Sequence, residues 1–238
     1  MRLESKVFSS KIIGKNLEYH ILCSGEQIEI ADILYVHDGN DYLQLGGIKE
    51  TFQKIILEYP DIAKNIIFIL LHPGDSIERW NSYHREGRLY KNFISFFTDE
   101  FVPEVESNLR NEGVKICKRG LLGDSLAGNI GINIALQKPD FWTHLLLQSA
   151  AISKEVIEDV QKLRYTGWKV YQRVGIHEDQ FVSSITNEKL MILTRNRELH
   201  SAFVQKNLQV DYKELNTDHL WSVWKKDLPN ALVFFINH

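Results

Sequence analysis

Short runs of apolar residues, solid rather than alternating, recur along this chain between longer stretches whose apolar positions follow a helical spacing. That pattern restricts the fold more than any other feature. A strand with one wet face alternates apolar and polar residues, whereas a strand covered on both faces reads as a continuous apolar run. Strands are predicted at 18–23, 33–36, 66–72, 118–122, 144–148, 169–174 and 210–215, and helices at 47–58, 90–111, 126–137, 188–207 and 220–236. Within 90–111, Pro103 has no N–H to donate, so it opens a helical turn or marks a kink. Alternation of this kind implies crossover connections, and so an α/β fold with a mostly parallel central sheet and helices on both faces. No internal repeat, low-complexity run or Pro/Gly-rich linker marks a boundary, and residues 1–238 are read as a single domain.

Composition removes several function classes. Apolar residues make up 44% and charged residues 25%, and the net charge is −3, so no nucleic-acid partner is expected. The apolar runs fall far short of the roughly 20 residues that cross a bilayer, and no membrane partner is expected. The opening residues, MRLESKVFSSKIIGKN, are polar and lack the apolar core of a secretory signal. Two cysteines, Cys23 and Cys117, stand at no metal-ligand spacing. They read as free thiols in a reducing cytoplasm, with no metal and no cofactor expected. Self-association into a homo-oligomer is compatible with the sequence.

In a doubly wound sheet the working residues sit in loops at the C-terminal ends of strands. After the run at 118–122 comes Gly123-Asp124-Ser125-Leu126-Ala127-Gly128, followed directly by an apolar helical stretch. A strand, a sharp turn with serine at its apex and small residues two positions either side form a nucleophile elbow. Bulk at Gly123 or Ala127 would collide with neighbouring elements, and Ser125 is pushed out above the sheet. The helix that begins there directs its positive end at the serine, and the Leu126 amide is free to bind an oxyanion. A serine that merely caps a helix is the plainer alternative, but the strand–turn–helix context favours a nucleophile.

Serine needs an imidazole to accept its proton, and this fold supplies the partners in chain order serine, acid, histidine. Of nine histidines, His219 is the one that follows the last predicted strand and precedes the last helix. The acid belongs after the strand at 169–174, where Glu178 and Asp179 are adjacent and the sequence leaves both open. Asp218 is badly placed beside His219, and Asp124 suits the turn. A second oxyanion amide is expected from Gly39 or Asn40, after the strand at 33–36. A loop after 66–72 carries Asp75, Arg79, Trp80 and Tyr83; Arg79 either anchors substrate or, preferably, pairs with a scaffold carboxylate. Trp80, Tyr83 and Trp221 are the expected substrate-binding aromatics.

These residues together resemble the esterase family of α/β-hydrolases that includes enterochelin (siderophore) esterases and the esterase D/S-formylglutathione hydrolase branch. The carriers are His37-Asp38-Gly39, the segment from Arg79 to Tyr83 with Phe101-Val102-Pro103-Glu104-Val105, the elbow, Gly175-Ile176-His177-Glu178, and His219 with Trp224. The resemblance implies an α/β-hydrolase fold and a serine carboxylic ester hydrolase with an acyl-enzyme. In siderophore-esterase relatives a glutamate stands three residues after a glycine in the acid loop, which points to Glu178. Departures occur at Leu126-Ala127, where the family more often has Met-Gly, at Ser82, where it has glutamate, and at Thr217-Asp218, where it has glycine. A siderophore (catecholate trilactone) or other small acyl ester fits; the alternatives are an acyltransferase, an S-formylglutathione hydrolase-like thioesterase and a non-catalytic binding protein. The letters Gly-Asp-Ser-Leu also mark a separate hydrolase class, but its C-terminal Asp-x-x-His is missing and Ser125 lies mid-chain.

Overall fold

The computed structural model describes residues 1–25, 27–164 and 167–238. Among the described residues eight strands form one sheet: β1 (Arg2–Ser9), β2 (Asn16–Cys23), β3 (Ile30–His37), β4 (Ile66–Leu71), β5 (Lys115–Asp124), β6 (His144–Gln148), β7 (Lys169–Gly175) and β8 (Gln209–Leu215). Their order is β1-β2-β4-β3-β5-β6-β7-β8. From β4 to β8 every pair is parallel; β2 pairs antiparallel with β1 and β4. The solid runs are the covered strands: every residue of β4 and β6 is buried.

Side chains alternate across the strands, so each strand feeds two cores. In β4, Ile67, Ile69 and Leu71 join one cluster, whereas Ile66, Phe68 and Leu70 join the other. Helices α5 (Tyr90–Ser95), α6 (Val102–Asn111), α7 (Ser125–Gln137), α8 (Lys154–Lys162) and α9 (Ile192–Gln205) close the first face. Helices α1 (Gly39–Gln44), α2 (Ile48–Glu58) and α10 (Trp221–Asn237) close the second. Short α3 (Pro60–Ala63) follows α2, and α4 (Ser76–Tyr83) follows β4. α7 is buried nearly all round, as its sequence SLAGNIGINIALQ suggests. Among the described residues no helix is long and apolar enough to cross a membrane.

Several boundaries differ from the sequence expectation, each for a local reason. β1 is an edge strand with charged, exposed side chains and carries no apolar run to reveal it. Residues 76–83, expected as loop, form α4, started by a capping box between Asp75 and Glu78. The helix expected from 188 begins at Ile192, because Val182 and Lys189 pair as an antiparallel bridge first. Before Pro103 the helix widens into a π turn over Phe96–Phe101, with Val102 N–H donating to Phe97 O, and α6 follows.

His37, at the end of β3, is fully buried among the rings of Tyr83, Phe93 and Phe97. Burial lowers its pKa to about 3, so the native protein holds it neutral. The unfolded chain takes up that proton near the ordinary histidine value, and stability is therefore lost as pH falls below it, toward the folded pKa. His37→Phe removes this cost. Relative to wild type, the variant is expected to gain about 3 kcal/mol between about pH 7.5 and about pH 4. Urea unfolding at both pH values checks this; an unchanged difference would contradict it.

Candidate active site

The chain leaves β3 for β4 on one side, then returns past it to β5 on the other. Such a reversal opens a crevice at the C-terminal ends of the two strands. Val36 of β3 is level with Leu122 of β5, so residues 38–40 and 124–126 emerge side by side at that crevice.

At the turn from β5 to α7, Ser125 has φ 47°, a left-handed backbone uncommon for a residue with a side chain. Such a conformation costs about 1–3 kcal/mol and persists only where its surroundings enforce it. Here they do. A Cβ on Gly123 would stand 2.4 Å from the Ala127 carbonyl carbon, so the turn closes to this degree only with glycine. The Ser125 carbonyl accepts from Ala151 N–H at 2.9 Å, tying the turn to the segment after β6. The Leu126 amide, in the first turn of α7, has no acceptor within the helix.

His219 lies between β8 and α10, with its ring packed against Phe181 at 4.3 Å and Trp224 at 4.8 Å. Its Nε2 is 2.9 Å from Ser125 Oγ and its Nδ1 is 3.1 Å from Glu178 Oε2. Glu178 is buried in a 3₁₀ turn, Glu178–Gln180, just after β7. Its Oε1 accepts from Ser149 Oγ at 2.7 Å and from Gly175 N–H at 3.0 Å. The adjacent Asp179 points elsewhere: its carboxylate accepts from the Thr194 amide at 3.0 Å and the Thr194 hydroxyl at 2.6 Å. The structure thus brings Ser125, His219 and Glu178 together and leaves Asp179 at the start of α9. His177 is also turned away, toward Asn216.

Arg79 of α4 reaches both loops of the crevice. Its Nε donates to Asp38 Oδ2 at 2.6 Å, and its Nη2 lies 3.8 Å from Asp124 Oδ2. Asp38 immediately precedes Gly39 and Asn40; Asp124 immediately precedes Ser125. Burial acts to lower the guanidinium pKa, but the two carboxylates more than offset it and raise it above the ordinary arginine value. Burial and the neighbouring Asp38 charge push Asp124 well above the usual carboxylate range. Arg79 thus bridges the segments that precede Gly39 and Ser125.

Gly39 and Asn40 open α1. A Cβ on Gly39 would stand 2.6 Å from the Leu70 carbonyl carbon, so glycine lets α1 start hard against β4. The Asn40 side chain is engaged with His20 Nε2 at 2.8 Å. Tyr83 is fully buried against His37 and Phe93, and so belongs to the core rather than to a substrate surface. Trp80 stacks on His84 and, with Leu126, Ala151 and Ile152, lines a cleft of about 410 Å³. Trp221 is half-buried, edge-on to Tyr42 and Trp224. A larger hollow of about 720 Å³, lined by Tyr90, Leu136 and Lys162, includes none of Ser125, His219 and Glu178. Sequence reasoning missed Ser149 as a partner of Glu178; its position directly after a buried strand was the available signal.

Residues 18–235 match a family model described as "Putative esterase". The chain belongs to this esterase family. A Bacillus subtilis protein described as "Uncharacterized protein YjcH" is 28% identical over 201 residues, 84% of this chain and 82% of its own. Among solved structures, the enterobactin esterase of Shigella flexneri, crystallised in the presence of enterobactin, superposes with TM-score 0.80 at 14% identity. That match covers 99% of this chain and 58% of the Shigella protein, so this chain spans under two thirds of its length. The BES protein of Bacillus cereus matches with TM-score 0.74 at 19% identity, over 98% of this chain and 94% of its own. A siderophore hydrolase, EstA, from Aspergillus nidulans matches with TM-score 0.71 at 18% identity, over 99% and 94%. At these identities the likeness establishes a shared fold.

Proposed function

We propose that this chain is a serine carboxylic ester hydrolase, a single catalytic domain working through an acyl-enzyme on Ser125. The observation that carries the reading is the continuous hydrogen-bonded series from Ser125 Oγ through His219 to buried Glu178. Ser125 Oγ attacks the ester carbonyl while its proton passes to His219 Nε2, and Glu178 stabilises the imidazolium. The oxyanion forms against the Leu126 amide and that of Gly39 or Asn40, each donor lowering the barrier by roughly 3–4 kcal/mol. Collapse breaks the C–O bond, and His219 returns its proton to the leaving alcohol. Water then repeats the sequence on the acyl-enzyme and releases the acid. The cleft beside Leu126, with Trp80 on its wall, suits a small or aromatic acyl group. A catecholate trilactone of the siderophore class is one such ester; the Shigella neighbour is described as an enterobactin esterase and the Aspergillus neighbour as a siderophore hydrolase. Free Cys23 and Cys117 fit a cytoplasmic setting.

The test is a panel of short p-nitrophenyl esters, S-formylglutathione and ferric catecholate trilactones, with products analysed with and without an acceptor alcohol. The reading expects free acid from at least one ester in both conditions. Transfer of the acyl group to the alcohol would make the protein an acyltransferase, and no turnover of any ester at neutral pH would overturn the proposal.

A further inference from the structure

Ser149 lies just beyond β6, buried, with φ 52°, a second left-handed serine outside the elbow. Its hydroxyl donates to Glu178 Oε1 at 2.7 Å and accepts from Trp224 Nε1–H at 3.0 Å. A hydroxyl has one proton to give. Because the indole N–H occupies an oxygen lone pair, the Ser149 proton is directed at Glu178. Two donors, Ser149 and the Gly175 amide, then fill Oε1 and leave Oε2 for His219 Nδ1. Trp224 also meets His219 directly, its ring nearly perpendicular to the imidazole at 85°. The Trp224 carbonyl in turn accepts from Gln148 at 3.0 Å, so the residue before Ser149 anchors the tryptophan.

We infer that Ser149 and Trp224 are positioning residues that orient the Glu178 carboxylate and the His219 imidazole. The inference rests on the reading of Ser125, His219 and Glu178 as the reacting site. Donors to a carboxylate stabilise its charge and weaken its hold on a proton. Removing the Ser149 hydroxyl therefore raises the proton affinity of the Glu178–His219 pair, whichever member holds the proton. The other charged groups on the packed segments have their own settings. Asp179 is held by Thr194, His177 faces Asn216, and Asp218 is exposed. Asp124 sits with Arg79, and Asp227 of α10 accepts from Tyr171 and Gln148.

The experiment compares wild type, Ser149→Ala and Trp224→Phe in p-nitrophenyl acetate hydrolysis across pH, with fluorophosphonate labelling to count intact sites. Ser149→Ala is expected to lower kcat about tenfold per labelled site with KM nearly unchanged. The acid limb of kcat/KM should move up by about half a pH unit. Trp224→Phe keeps a ring beside His219 but not the N–H; a smaller loss and a shift in the same direction are expected. Unchanged kcat and acid limb in both variants would overturn the positioning role while leaving the Ser125 assignment intact. Activity lost only in proportion to labelled sites, with the acid limb unmoved, would reduce both residues to structural support and overturn it as well. Wild type that neither labels nor turns over would instead defeat the underlying reading.

Discussion

Glu178→Gln is expected to lower kcat by about 10⁴-fold, whereas Asp179→Asn should change it by no more than a few-fold. The hydrogen-bond network gives the reason. Ser149 and Gly175 both donate to the Oε1 position, so a glutamine there must present its carbonyl oxygen to them. Its NH₂ then faces His219 Nδ1 and fixes the imidazole with its proton on Nε2. That tautomer has no lone pair to take the Ser125 proton. Asp179 serves Thr194, and its loss costs about 1 kcal/mol of stability at the start of a helix. Initial rates on p-nitrophenyl acetate separate the two; equal losses, or a larger loss at Asp179, would contradict the assignment.

The second large effect is on stability. Arg79→Met keeps most of the side-chain volume and leaves Asp38 and Asp124 buried without a cation. Removing one partner of such a pair costs about 3–5 kcal/mol. For a chain of this size that lowers Tm by roughly 10 °C. Combining it with Asp124→Asn is expected to restore part of the loss, because one buried carboxylate is then gone. Since Arg79 bridges the segments that precede Gly39 and Ser125, activity on p-nitrophenyl acetate should fall as well. Thermal unfolding followed by circular dichroism checks the stability claim, and an unchanged Tm for Arg79→Met would refute it.

How much of this was legible in the sequence depended on whether the information was local. The inner strands β4 and β6 declared themselves because burial on both faces writes a solid apolar run. The elbow was legible because a sharp turn excludes bulk at fixed offsets, and His219 because the fold sets its place in chain order. The edge strand β1 was silent, since its exposed residues carry charges. The start of α4 is written in the sequence as the Asp75–Glu78 capping box. Between Glu178 and Asp179 the residues themselves were mute: neighbours on a 3₁₀ turn point in different directions, and adjacency carries no orientation. The family resemblance favoured Glu178, the carboxylate that the fold brings to His219. Tyr83 looked like a substrate-facing aromatic because nothing local shows that α4 turns it into the core. Ser149 and Trp224 were hidden for another reason. They stand 75 residues apart in sequence and meet only once β6 and α10 are packed.

The central claim is that Ser125 is the nucleophile, and covalent labelling tests it most directly. The protein is treated with a fluorophosphonate at neutral pH, digested, and the modified peptide located by mass spectrometry. A single adduct on Ser125, absent from Ser125→Ala and strongly slowed in His219→Ala, is the predicted result. No adduct, or an adduct that persists in Ser125→Ala, would contradict it.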